Sequence, residues 1–155
     1  MSWYSLLKYV HVLLAITAVG SNLTYGIWQN LVGRTPEHES FVLRGVKFID
    51  DHLANPCYLL LLATGLTLQA IGHLGLQRHW ITAAIILYVL LLIFGLGFYT
   101  PALTRQIETL ETEGIQSAQY RNRAIRATAY GVGTLPIILA IVFMMVVKPS
   151  LGGAP

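Results

Sequence analysis

Of the five histidines in the chain, only His11 sits inside a long apolar run, "LLKYVHVLLAITAVGSNLTYGIW", from Leu6 to Trp28. An imidazole takes up or releases a proton near neutral pH, and its unprotonated nitrogen ligates metals. In hydrocarbon every polar group needs a partner, and an ionisable residue within a membrane helix is a functional candidate on that ground alone. His11, Ala15, Ala18, Asn22, Tyr25 and Gln29 follow one another at steps of four, three, four, three and four. They therefore share one face of a helix, with Ser21 beside it. Asn55, Tyr58, Leu62, Gly65, Gln69 and His73 repeat the arrangement further along. Two such faces predict an internal polar seam. The amides Asn22 and Gln69 can serve there as hydrogen-bonding glue between helices, while His11 is the residue with chemistry to offer.

The elements that must position these residues are membrane helices. Of the 155 residues, 55% are hydrophobic and 11% charged, where soluble domains carry about 25% charged residues. Four stretches, Trp3 to Trp28, Leu53 to Ile71, Trp80 to Thr100 and Ala124 to Val147, meet the requirement of about 20 residues for a spanning helix. The expected fold is a single all-α domain over residues 1–155, a four-helix transmembrane bundle. An alternative, a signal peptide cleaved near Gly20, fits poorly because the apolar pattern continues to Trp28. Cys57 is the single cysteine, so no intrachain disulfide can form.

Depth sorts the partners of His11. At 1.5 Å per residue, His11 lies ~7 Å from the midplane, His52 lies ~22 Å from His11 in depth, and His73 lies ~9 Å from it. His73 or His79 is therefore the better second ligand for a shared metal or cofactor. His38, between Glu37 and Glu39, reads as a solvated loop residue.

Charge orients the bundle. Lys8, Arg78 and Lys148 fall on one side, here side A; Arg34, Arg44, Lys47, Arg105, Arg121, Arg123 and Arg126 fall on the other, side B. Positive charge gathers on the cytoplasmic side, so both termini are expected outside the cytoplasm. On side B, "VGRTPEHESFVLRGVKFIDDH" has the apolar residues for a segment lying on the membrane surface; it reads first as an ordinary amphipathic connector, the alternative being that Arg44 and Lys47 meet lipid headgroups. Pro101 is expected to kink or end helix three. Beyond it, Leu103, Ile107 and Leu110 share a face, which predicts a cytoplasmic helical hairpin turning at Gly114 between helices three and four. Gly131, Gly133 and Pro136 mark helix four as one that neighbours approach closely.

The stretch "LLKYVHVLLAI" resembles the first helix of several small bacterial membrane families, among them the copper-resistance D type and the quinone-linked membrane protoporphyrinogen oxidase. Over all four helices, including "NPCYLLLLATGLTL", the chain is most similar to a family of predicted integral membrane proteins of unknown function. The resemblance implies a bacterial inner membrane location and, from the oxidase-like families, a haem-binding role for His11. The third helix, "WITAAIILYVLLLIFGLGFYT", carries no lysine where the oxidase has one, which argues against protoporphyrinogen oxidation.

Three functional readings follow. The first is a haem b-binding, redox-linked protein with His11 as axial ligand, His73 or His79 as second ligand, Asn22 in the seam, and the small Ala15 and Ala18 leaving room for a flat ring. The second is a non-enzymatic accessory or assembly subunit that docks a larger membrane complex or a second copy. The third is copper handling on side A, with His73, His79, Met144 and Met145. A transporter is disfavoured because every acid is placed in side B loops or helix ends. No zinc-site spacing, phosphate loop or nucleophile motif is present, and nothing points to nucleic acid.

Overall fold

The computed structural model describes residues 2–32, 36–73 and 78–150. Four long helices account for nearly all of them: α1 (Trp3–Val32), α2 (Glu39–Ile71), α3 (His79–Glu113) and α4 (Ala118–Val147). A short 3-10 turn, Pro36–His38, precedes α2. All four helices are long and apolar enough to cross a membrane. Their outward faces expose Ile16, Leu23 and Ile27 on α1, Leu59 and Leu66 on α2, Ile86 on α3 and Leu139 and Val146 on α4. Water would not tolerate that belt; lipid does.

The helices are longer on side B than the apolar runs predict. The 33 residues of α2 and 35 of α3 are each ~50 Å long, against a hydrocarbon core of ~30 Å. The segment expected to be an amphipathic connector is instead the first half of α2. Its apolar residues Val42, Leu43 and Val46 fall on one helical face and close against Leu103 of α3, which is 0% exposed, with Ile107 and Leu110 packed alongside. Two amphipathic faces of the same period bury one another, and a surface-lying segment would have left both unpaired. The hairpin does turn at Gly114, which takes φ 80°, a conformation favourable to glycine. Its arms are continuous with α3 and α4. Ser117 caps α4 by accepting from the Tyr120 amide at 2.9 Å.

Pro101 does not end helix three, and Pro56 does not begin helix two. Each follows a widened π turn, Ile93–Tyr99 before Pro101 and Asp50–Ala54 before Pro56. The Thr100 amide donates to the Gly95 carbonyl and the Asn55 amide to the Asp50 carbonyl, five residues back in both cases. Passing to a five-residue step just before the proline lets the helix run on despite the missing N–H.

Within the membrane, α1 lies antiparallel to α2 and α3 to α4. Gly131 lets α4 approach the Tyr99 ring, where an added Cβ would stand 3.1 Å from Cε2. The two pairs are joined on side B by the α2–α3 core and nearer the midplane by Ala18, Cys57 and Leu61, against which Tyr58 and Tyr88 pack.

Candidate intramembrane polar site

The antiparallel register of α1 and α2 sets the seam. Tyr4 meets Gly72, His11 meets Gly65, and Asn22 meets Tyr58. His11 Nδ1 lies 2.7 Å from the Thr64 hydroxyl oxygen, and that hydroxyl lies 2.7 Å from the Leu60 carbonyl. A carbonyl can only accept, so with the hydroxyl proton on Leu60 the Thr64 oxygen accepts from His11 Nδ1–H. In that arrangement Nε2 of the neutral ring carries a free lone pair. A Cβ at position 65 would stand 3.2 Å from His11 Cε1, so Gly65 is what lets the half-buried ring lie against α2.

The first polar face folds as its period implies. Ala18 is buried with Cys57 and Leu61, and Ala15 packs beside them, so α2 fills the space these small residues leave. Asn22 donates to the Ala18 carbonyl at 3.0 Å and to the Tyr58 hydroxyl. Tyr88 donates to the Tyr58 carbonyl at 2.7 Å. Tyr25 stacks on Tyr99 with ring centroids 6.2 Å apart, and Gln29 donates to the Tyr99 hydroxyl at 3.3 Å. Ser21 is satisfied by the Thr17 carbonyl of its own helix at 2.9 Å.

The other histidines lie apart from His11. His73 lies two residues beyond the end of α2, with φ 47° and an exposed ring, eight residues past Gly65 and so ~12 Å further along the axis. His79 opens α3, also exposed. Among the described residues no group of three or more His, Cys, Asp or Glu side chains is placed to hold a metal ion. His52 faces outward, stacked on Phe48 at 4.4 Å and bonded to the Phe48 carbonyl at 3.1 Å. His38 is exposed.

Two residues of the site, Thr64 and Asp50, lie outside the polar faces expected from the sequence. Asp50, placed there among the loop acids, is 3% exposed and inside the side B core. Its Oδ2 accepts from the Thr100 hydroxyl at 2.7 Å and from the Asn55 amide at 3.3 Å. The signal was present: Leu43, Val46, Asp50, Ala54, Cys57 and Leu61, all buried, follow helical steps of three or four. It was hidden by starting helix two at Leu53.

No curated protein and no solved structure matches the chain. A family described as "Predicted integral membrane protein (DUF2269)" matches residues 5–149. That range takes in all four helices but the first two residues of α1, and His11, Thr64 and Asp50 with it; the chain therefore belongs to this family of integral membrane proteins.

Proposed function

We propose that the protein is a haem-binding, redox-linked protein of the bacterial inner membrane, with His11 as the axial ligand and side B in the cytoplasm. The observation that carries this reading is the His11–Thr64–Leu60 chain. Ligating histidines usually give their second ring N–H to an acceptor, which orients the ring and raises the basicity of the ligating nitrogen. Thr64 does this for His11 without a charge in the membrane. A haem iron would supply one-electron chemistry at a potential set by ligand and surroundings. This chain would hold it through Nε2, keep the ring oriented through Thr64 and exclude water with the apolar helix faces. Because α2 occupies the space beside Ala15 and Ala18, His11 rather than those two residues would hold the group. A second imidazole, where the iron takes one, would come from His73 or His79, and binding rests first on His11.

A second reading, an accessory subunit, is favoured by Phe41 and Phe48, which are 81% and 63% exposed on the half of α2 that extends beyond the apolar run. Aromatic side chains in such a position suit a docking surface.

Titrating the purified protein with haem separates the two. The haem reading expects a Soret band that His11→Ala removes or strongly shifts and His52→Ala leaves unchanged. A wild type that takes up no haem, or a His11→Ala protein that binds it as the wild type does, contradicts this reading and leaves the accessory one.

A further inference from the structure

We infer that Asp50, with Thr100, Asn55 and Tyr25 around it, is a proton-binding site at the side B end of the seam, carrying a protonated carboxyl and exchanging that proton with side B water. The inference rests on other residues than His11 and stands or falls separately from the haem reading.

Asp50 is 3% exposed and shares a helical face with Leu43, Val46 and Ala54, which are buried in one core with Leu103 of α3. The hydrogen bonds that reach it come from neutral donors, Thr100 and Asn55. The cations near by are engaged elsewhere, Lys47 with Asp51 and Arg44 with Glu111. An ionised carboxylate so enclosed, without a cationic partner, is costly, and the ordinary escape is to bind a proton.

A second observation points the same way. Tyr25, 4% exposed, has a buried hydroxyl with no hydrogen-bond partner, the one such side-chain atom among the described residues. It lies within electrostatic reach of Asp50. A neutral Asp50 keeps the bonds that Oδ2 accepts from Thr100 and Asn55 and removes the uncompensated charge that would otherwise face the buried Tyr25 phenol. The other titratable groups facing the site are phenols, Tyr58 of α2, Tyr99 of α3 and Tyr130 of α4, with Cys57, Lys47 and Asp51 on α2.

The step is a plain proton transfer. Hydronium gives a proton to Oδ1, an O–H bond forms, and neutral water leaves. Position suits the task, because both π turns converge here: Asp50 opens one, Asn55 directly follows it, and Thr100 directly follows the other. Such turns gather at functional sites. The Gln29–Tyr99 pair stands at the same depth, and further in the Tyr58–Asn22 pair continues the polar seam along α1.

Infrared spectroscopy of the full-length protein in bilayers tests this. The expected result is a protonated-carboxyl C=O stretch at neutral pH that disappears reversibly in alkali, is lost in Asp50→Asn and is shifted in Tyr25→Phe. Should Asp50→Asn fail to accumulate, the wild-type titration and the Tyr25→Phe shift decide the matter. No such band in the wild type, a band indifferent to these substitutions, or one that emerges only when sodium and potassium are withdrawn overturns the inference; the last outcome would assign the site to a metal cation.

Discussion

A threonine gives the His11 ring its chemical meaning. Without Thr64 the imidazole could take either tautomer or turn its proton-bearing nitrogen outward; where Thr64 donates to Leu60 and accepts from Nδ1–H, Nε2 is left as the acceptor. Thr64→Val keeps the shape and removes the oxygen. Haem affinity measured by Soret titration should then fall ~10–100-fold, the usual cost of losing such an orienting partner, and Thr64→Ser should restore it. Undiminished affinity in the valine variant would show that Thr64 does not orient the ligand. Among single residues, His11, Asn22, Tyr25 and Gln29 were legible in the sequence because a helical face repeats regardless of what it packs against. Thr64 was not, since the period of α2 selects Gly65, and the bond depends on the register between two helices. Asp50 was hidden for another reason: a charge next to Asp51 and His52 looks like loop chemistry until the helix is known to continue through it.

At the scale of elements, the two prolines and the side B extensions belong together. Pro101 reads as a kink or a boundary because a proline removes an amide donor. The π turns before the two prolines absorb that loss, and the helices run on into a core of Leu43, Val46 and Leu103. Sequence pattern alone reports the missing N–H and not the local widening that accommodates it. The side B extension is thus part of the folded unit. Leu103→Ala should destabilise the protein by ~2–5 kcal/mol, as buried leucine truncations do, whereas Phe41→Ala, on the open face, should change thermal stability little. Equal losses from the two would mean that the α2–α3 contact is peripheral. The salt bridge between Arg44 and Glu111 adds little to this join, since both side chains are largely in solvent.

The whole molecule is a bundle of two antiparallel helix pairs whose shared interior holds two polar stations: the oriented His11 towards side A and the enclosed Asp50 towards side B. The number of helices and their apolar faces were legible in the sequence, because lipid demands both. The pairing was not, since lipid-facing and helix-facing positions are similarly apolar and only close packing separates them. The proposed ligand chemistry depends on that pairing, for it is the docking of α1 on α2 that locks the ring. Nitrogen-15 NMR of histidine-labelled protein, without any added cofactor, reads the lock directly. The account predicts a neutral His11 with its proton on Nδ1 and an unprotonated Nε2, a signature lost in Thr64→Val. A His11 protonated on Nε2, or one exchanging freely between tautomers in the wild type, would contradict it.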